Sequence, residues 1–273
     1  MEVNFTENKK GYNPWHCWVC NKKGKSLYNL FKQINAPYNK MTELKSLVKV
    51  NNNIREKEIS TSTIKLPKEY KQLQNISKSN LAGRHAVAYL KNRGLKVDDI
   101  LKYNIGYCEE GQYKNMIIIP SYDGIGQLNY FVARNFDRSS YMKYKNPPIS
   151  KNIIPFELFI NWSSPLILCE GMFDAITIKR NVIPLLGKHI QKNLMKKIVL
   201  STVEKIYIAL DKDAIKDALG FCETFLNEGK EVYLVELEDK DPNELGFHHF
   251  THLIQTTQPL SYSDLLEKKI EMI

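Results

Sequence analysis

The chain has 273 residues, of which 43% are hydrophobic and 25% are charged, as is usual for folded globular proteins. Its first residues lack the apolar core of a secretory signal, and no apolar run approaches the roughly 20 residues that cross a bilayer. We therefore expect a cytoplasmic protein with no membrane partner. The net charge of +9 is uneven, because basic residues predominate in the front half and acidic residues in the back half. This asymmetry favours a polyanionic partner for the first part and a bound cation in the second.

The first domain is predicted to span residues 1–48 and contains a close cysteine pair. A turn-rich stretch over 11–25 predicts a short hairpin that includes Cys17 and Cys20, and an amphipathic helix follows it. The odd total of five cysteines argues against a disulfide framework. Residues 49–65 are polar, with few large apolar side chains, and predict a linker.

The middle part, residues 66–163, combines one predicted helix with three predicted strands. The helix ends before Gly94, and its predicted apolar face is formed by Leu81, His85, Ala88 and Tyr89. Strands with turn residues between them are predicted at 103–108, 115–120 and 127–134. This pattern indicates an antiparallel meander in a basic α+β subdomain.

The back half changes to short apolar runs that alternate with helical patterns. The runs are PLILCE, VIPLLG, EKIYIAL and KEVYLVEL, and the helical patterns cover 172–180, 190–201 and 214–228. Such alternation predicts an α/β domain over 164–246, with a small doubly wound parallel sheet. Residues 247–273 are expected to form a C-terminal helical tail.

Acidic residues follow three of these four apolar runs. Glu170, Asp211, Asp213 and Asp241 come just after predicted strands, and Asp174 lies one helical turn beyond Glu170. Because the carboxyl ends of parallel strands meet at one sheet edge, we expect these side chains to converge. A single acid after a strand often caps a helix or lies in a loop, but a converging set repels itself unless it holds a cation. Oxygen ligands of this kind suit Mg²⁺ or Mn²⁺.

The sequences around these acids resemble the TOPRIM domain, which bacterial-type primases share with type IA and II topoisomerases and some nucleases. The matching runs are CEGMFDAI, LDKD and DKDPNELG. The resemblance implies that Glu170, Asp211 and Asp213 are catalytic and manage the metal ions, with Asp174 and Asp241 as further metal-site residues. Primases carry a second acid in a DPD motif where this chain has Asn243. The number of metal ions therefore stays open.

The segment before the acids resembles that of bacterial and bacteriophage-type primases. The run FVARNFDRSSYMKYKNPP is similar to their basic segment, and AVAYLKNRGLKVDDILKYNIGY to the entry into it. The resemblance implies a groove opposite the metals that binds single-stranded DNA and ribonucleotide triphosphates, lined by Arg134, Lys143, Lys145 and Asn146. Lys143 is also expected to act in catalysis, as an electrostatic stabiliser of phosphates. The alternative for the lysines is a solvated basic loop.

The cysteine pair resembles the second half of the primase zinc ribbon. Cys17 and Cys20 match its CxxC pair within YNPWHCWVCNKKGKSLYNLF. A closed structural zinc site needs four ligands, and residues 1–15 contain no cysteine or histidine. We therefore expect a partial zinc-ribbon-like segment, for which bound zinc stays an open question.

The resemblance implies a DNA primase that makes short RNA primers on single-stranded DNA by divalent-metal-dependent nucleotidyl transfer, in a compact form typical of phage replication. No GxxxxGK[ST] motif occurs, so a separate replicative helicase is the expected partner. Two alternatives stay open: a metal-dependent TOPRIM nuclease and a non-catalytic single-stranded-DNA-binding remnant of a primase. The template sequence, primer length and oligomeric state do not follow from the sequence.

Overall fold

The computed structural model describes residues 1–3, 14–20, 22–47, 64–77, 79–137, 139–237 and 240–272. They form two compact units, Met1–Ser62 and Thr63–Ile273. The predicted linker at 49–65 falls outside the described residues except for its last two positions. Among the described helices, none is both long enough and apolar enough to cross a membrane.

The first unit pairs three short antiparallel strands with two helices. The strands are β1 (Glu2–Val3), β2 (Trp15–His16) and β3 (Lys23–Gly24), and the helices are α1 (Leu27–Gln33) and α2 (Tyr38–Leu47). The Ser26 side chain caps α1 by accepting a hydrogen bond from the Asn29 N–H. Its small core is formed by Trp15, Leu27, Leu30 and Leu44.

The second unit begins with a four-stranded antiparallel sheet. Its strands, in spatial order, are β4 (Tyr70–Gln72), β5 (Gly106–Cys108), β6 (Met116–Tyr122) and β7 (Leu128–Asn135). Two helices, α3 (Leu81–Asn92) and α4 (Val97–Lys102), connect β4 to β5. The predicted meander is confirmed, because β5, β6 and β7 pair in sequence.

The predicted apolar face of α3 was wrong. Leu81 is 67% exposed and His85 is exposed, whereas the helix buries Gly83, Ala86 and Leu90. The small residues let the helix lie close to its neighbours, since a Cβ on Gly83 would meet the Ile76 side chain at 2.7 Å. Hydrophobicity alone favoured the larger residues, but close packing selected the smaller ones.

A four-stranded parallel sheet forms the rest of the second unit, as predicted. Its spatial order is β11 (Glu231–Leu234), β10 (Lys205–Ala209), β8 (Leu166–Cys169) and β9 (Val182–Pro184). Five helices accompany it: α5 (Met172–Ile178), α6 (Lys192–Leu200), α7 (Ile215–Asn227), α8 (Pro242–Thr256, kinked at Gly246) and α9 (Tyr262–Ile270). The α/β fold class is thereby confirmed.

The two sheets of this unit share one core. Ile167 and Cys169 of β8 and Val132 of β7 belong to the same cluster of buried side chains. The opposite face of β8, with Leu166 and Leu168, packs in a second cluster that includes residues of α6 and α7. Because one core joins β7 to β8, residues on β7 lie beside the edge where the parallel strands end.

A buried hydroxyl also ties the segment between the two sheets to β6. The Ser121 hydroxyl donates to Asn129 Oδ1 at 2.7 Å and accepts from the Phe156 N–H at 3.0 Å. Asn129 in turn donates to the Ile154 carbonyl at 2.9 Å. The Phe156 N–H and the Asn129 side chain therefore depend on one oxygen.

Replacing Ser121 with Ala should lower the free energy of unfolding by about 1–3 kcal/mol, because it leaves the buried Phe156 N–H without its acceptor. Urea unfolding followed by circular dichroism measures this change. The exposed Ser139→Ala variant is the matched control and should change stability by less than about 0.5 kcal/mol. Equal stabilities for the two variants would contradict this account of Ser121.

Candidate active site

Three carboxylates meet where the parallel strands end. Glu170 follows β8, and Asp211 and Asp213 follow the adjacent strand β10. Their ligand atoms all lie within 4.8 Å of one another. The Asp211 N–H donates to Glu170 Oε1 at 3.2 Å, which joins the ends of the two strands directly. The predicted convergence of these residues is therefore present in the fold.

Asp174 and Asp241 lie at the same edge but are held by backbone groups. Asp174, on the first turn of α5, is 8% exposed and accepts from the N–H groups of Gly171 at 3.0 Å and Asn243 at 3.3 Å. Asp241 caps α8 by accepting from the Glu244 N–H at 2.7 Å. Both acids thus have a structural role in addition to any contact with a cation.

The acids destabilise one another's charged forms. Burial, together with the charges of Asp241 and Asp211, raises the pKa of Asp174 to about 7. Burial and the neighbouring Asp211 raise the pKa of Glu170, and burial with Asp241 and Asp213 raises that of Asp211. Buried like charges of this kind favour a bound cation.

These acids line a cleft of about 360 Å³, here called the acidic cleft. Its lining includes Glu170, Asp174, Asp211 and Asp241, together with Val132, Tyr144 and Asn146. Asp213 lies at the rim, where it lines a neighbouring hollow with Asp211 and Asp241. The carboxylates and the segment that follows β7 therefore line the same cleft.

A tyrosine lies between two arginines, and each arginine stacks on an aromatic residue that lines this cleft. Tyr89 on α3 accepts hydrogen bonds from Arg93 Nε and Arg134 Nε, both at 2.9 Å. The Arg134 guanidinium stacks on the Tyr144 ring at 4.4 Å, and that of Arg93 stacks on Phe173 at 4.8 Å. Sequence reasoning identified Arg134 but missed Arg93, although Arg93 stands inside the quoted primase-like entry segment.

The two predicted lysines and Tyr144 lie on opposite faces of the segment that follows β7. Tyr144 pairs with Arg134 in an isolated antiparallel bridge, so alternation along this extended segment places Lys143 and Lys145 on the face opposite to Tyr144. Lys145 Nζ donates to the Gln112 carbonyl at 2.9 Å. Asn146 lines the acidic cleft, and its Oδ1 accepts from the Ala133 N–H at 3.4 Å. The predicted basic set is therefore divided between two faces.

Two further lysines reach the acidic edge and were missed from the sequence. Lys188 Nζ contacts Asp213 Oδ2 at 2.5 Å, and Lys151 Nζ donates to the Leu186 carbonyl at 2.7 Å. Lys188 follows β9 in the chain, and the ends of neighbouring parallel strands meet at the same edge. The position of Lys188 shortly after a parallel strand was the signal available in the sequence.

Asn243, which replaces an acid of the primase motif, is part of the packing. Its amide donates to the Arg93 carbonyl at 2.9 Å and to the Thr177 hydroxyl at 2.7 Å, while its Oδ1 accepts from Arg93 Nη1 at 3.0 Å. These bonds connect the end of α3 to α5 and α8. The amide therefore supplies no oxygen to the carboxylate group.

The carboxylates fit a divalent cation, whereas the cysteines do not complete a zinc site. Glu170, Asp211 and Asp213 offer hard oxygen ligands within 4.8 Å of one another. Such a set of carboxylates suits Mg²⁺ or Mn²⁺. Within the part of the chain that the structure describes, no other set of three possible ligands lies this close together. Cys17 and Cys20 thus form a pair, not the closed four-ligand set that structural zinc requires.

The Cys17–Cys20 pair is nevertheless ordered as a turn. The Cys17 N–H donates to the Lys22 carbonyl at 2.8 Å. Hydrogen bonds from the Cys20 N–H, the Cys20 thiol and the Val19 N–H lower the pKa of Cys17. This arrangement favours the thiolate, which is the form that binds metals.

Comparison with known proteins gives the chain a family. No protein-family model matches it. An uncharacterised protein of Mycoplasma pneumoniae, the MG010 homolog, is 31% identical over 188 residues, which cover 64% of this chain and 87% of that protein. The chain belongs to the MG010 family.

The chain is also similar to DNA primases. The chain is 24% identical to the DNA primase of Legionella pneumophila over an alignment of 317 positions. This alignment covers 94% of the chain and 55% of that primase. The chain thus spans about half the length of this curated primase. The primase resemblance seen in the sequence is confirmed at the level of the fold by the following structures.

Two solved primase structures share the architecture. The Aquifex aeolicus primase, with its zinc-binding and RNA polymerase domains, matches 95% of this chain and 81% of that chain, with a TM-score of 0.56 and 18% identity. A DnaG primase catalytic domain bound to single-stranded DNA matches 74% of this chain and 78% of that one, with a TM-score of 0.60 and 17% identity. This MG010-family chain therefore has the fold of a DnaG-type primase core.

The raised pKa of Asp174 makes a pH-dependent prediction for the metal-free protein. A carboxyl with a folded-state pKa near 7 and an unfolded value near 3.8 binds more protons when folded, so wild-type stability falls as pH rises from about 4 to 7. Asp174→Asn lacks this titration. Its free energy of unfolding relative to wild type should rise by about 2 kcal/mol between pH 5 and pH 8.

Urea unfolding in EDTA at the two pH values measures this difference. The exposed Asp98→Asn variant is the control and should track wild type at both. Parallel pH profiles for Asp174→Asn and wild type would show that Asp174 is ionised throughout.

Proposed function

We propose that this chain is a DNA primase core that synthesises RNA primers on single-stranded DNA by divalent-metal-dependent nucleotidyl transfer. The observation that carries the proposal is the convergence of Glu170, Asp211 and Asp213 at the end of a parallel sheet with the primase fold. A fold alone hosts several chemistries. The carboxylate group and a basic segment that line the same cleft are what favour polymerisation of nucleotides.

In the proposed reaction, the 3′-hydroxyl of a growing primer attacks the α-phosphorus of a ribonucleoside triphosphate. The hydroxyl gives up its proton to water and a new P–O bond forms. The bond between the α-phosphorus and the bridging oxygen breaks, and pyrophosphate leaves with the electron pair. Glu170, Asp211 and Asp213 would hold the divalent ion, with Asp174 and Asp241 beside them. When bound, Mg²⁺ or Mn²⁺ would lower the pKa of the attacking hydroxyl and stabilise charge on the phosphoryl oxygens.

The basic side chains are proposed to bind different phosphates, because they lie in different places. Arg134 and Arg93 each stack on an aromatic residue that lines the acidic cleft. Fixed guanidinium groups at this position suit the phosphates of the incoming nucleotide. Lys143 and Lys145 lie on the outer face of the segment after β7, which suits template phosphates. Asn146 and Tyr144 line the cleft. Tyr144 has a ring face on which a base could stack.

We also propose a biological process and a partner for this reaction. Primer synthesis would serve DNA replication, with a separate helicase opening the duplex for this chain. The curated relatives quoted above are bacterial, and a phage origin stays a prediction. Cys17 and Cys20 supply only two of the four ligands of a zinc ribbon. This favours relaxed choice of the template site, because the phosphate-binding core carries little sequence information.

Replacing Asp211 with Asn should reduce primer synthesis at least about 100-fold, because the charge that holds the cation is removed. Incorporation of labelled ribonucleotides on single-stranded DNA, with circular dichroism to verify folding, measures this effect. Asp98→Asn changes the same charge on the exposed first turn of α4 and should keep wild-type activity.

Three results would contradict this assignment or identify another function. A folded Asp211→Asn protein with activity within threefold of wild type would contradict the metal-site role. Cleavage of DNA without primer synthesis by the wild-type chain, abolished by the same substitution, would identify the nuclease alternative. Binding of single-stranded DNA with neither activity would identify the non-catalytic alternative.

Substitutions at the lysines and at Arg134 should change different measured quantities. Replacing Lys143 and Lys145 together by Ala should weaken single-stranded DNA binding and flatten the slope of log K against log salt by about 0.7 for each phosphate that the protein no longer binds. Arg134→Gln should instead raise the KM for ribonucleoside triphosphates, because Arg134 stacks on Tyr144, which lines the cleft. Fluorescence anisotropy over a salt series and steady-state kinetics measure the two effects.

The control removes the same charge from another surface. Lys192→Ala with Lys196→Ala, both on α6, should leave the salt slope within about 0.3 of wild type. An unchanged slope for the Lys143 and Lys145 variant would identify a solvated loop, and an unchanged KM for Arg134→Gln would remove Arg134 from the nucleotide site.

A further inference from the structure

A lysine stands among the carboxylates of the candidate metal site. Lys188 Nζ lies 2.5 Å from Asp213 Oδ2 and 3.5 Å from the Asp213 carbonyl oxygen. Asp213 is one of the three residues whose oxygens lie within 4.8 Å of one another. An ammonium group therefore occupies a coordination direction of one predicted metal ligand.

The backbone after β9 brings Lys188 to this place. The Leu185 and Leu186 N–H groups donate to the Cys169 and Glu170 carbonyls at 2.8 and 2.9 Å, which fixes the turn to the end of β8. Leu186 and Gly187 then have positive φ angles of 58° and 143°, and the second is a conformation that favours glycine. The position of Lys188 thus follows from a turn that is built into the fold.

A hydrogen bond from the segment between the two sheets also holds this turn. Lys151, in the segment between the two sheets, donates to the Leu186 carbonyl at 2.7 Å. The ammonium group of Lys188 contacts Asp213, which is one of the three converging carboxylates. Lys188 therefore offsets part of the repulsion that a divalent ion would otherwise relieve.

We propose that Lys188 is an internal cation of the acidic site, which competes with a divalent ion for Asp213 and so weakens metal binding there. The inference rests on the proposed function for the identity of the metal site. Attraction between two unit charges falls with distance and dielectric, and a doubly charged ion near an ammonium group is repelled by the same law. Lys188 is a positioning residue in this scheme, and it sets how much free metal the site requires.

The test measures metal binding without nucleic acid or nucleotide. Binding of Mn²⁺ to the purified full chain at pH 7 is followed by electron paramagnetic resonance of the free ion. Lys188→Met removes the charge and keeps a long side chain, and it should bind Mn²⁺ about tenfold more tightly than wild type. Lys188→Arg retains a cation and should stay within about twofold of wild type.

A double-mutant cycle shows whether Lys188 acts through Asp213. In the Asp213→Asn background, Lys188→Met should change the Mn²⁺ affinity by less than about twofold, because the group for which the two cations compete is gone. Lys192→Met removes the same charge from the exposed start of α6 and should change affinity by less than about twofold. Unchanged binding in Lys188→Met, or equal tightening with and without Asp213, would overturn the proposal.

The same measurement separates this inference from the proposed function. If Glu170→Gln and Asp211→Asn weaken Mn²⁺ binding while Lys188→Met leaves it unchanged, the metal site stands and the competition is refuted. If none of the acidic substitutions affects Mn²⁺ binding, the metal centre itself is refuted, and the role of Lys188 with it.

Discussion

The second unit depends on one arrangement: two adjacent parallel strands that both end in acids. Pairing of β8 with β10 sets Glu170 beside Asp211, and the Asp211 N–H donates to Glu170 across the strand ends. Each added carboxylate raises the free energy of the charged cluster. The surroundings reflect this repulsion, because backbone N–H groups bind Asp174 and an ammonium group contacts Asp213. A cation held among these acids would relieve what remains.

A second set of contacts relates the acids to the basic segment. Tyr89 accepts from arginines on two different elements, the end of α3 and β7, and Asn243 joins the end of α3 to α5 and α8. Through these bonds the antiparallel sheet and the end of the parallel sheet line a single cleft. The amide of Asn243, in place of an acid, removes one negative charge from this edge and uses its polar atoms for packing. A primase with this substitution would work with fewer carboxylates than the family motif provides.

The fold and the site support the proposed function at different levels. A parallel sheet next to an antiparallel one matches primase cores, yet this architecture alone does not specify a reaction. Support for the chemistry comes from oxygen ligands within 4.8 Å of one another and from guanidinium groups that stack on residues lining the cleft. The cysteine pair of the first unit adds two possible ligands with a lowered thiol pKa at Cys17. That pair stands apart from the argument for polymerisation.

The sequence by itself determined the parallel sheet, three of the four strands of the antiparallel sheet and the three converging acids, because strand periodicity and acids at strand ends are local signals. It missed α4 and the face that α3 buries, since Gly83 and Ala86 are selected by close packing and not by hydrophobicity. Only the tertiary structure decided that Lys143 and Lys145 lie on the face opposite to Tyr144, because strand pairing with β7 fixes which side chains share a face. It also decided that Lys188 meets Asp213, a contact between residues 25 positions apart that no local pattern encodes.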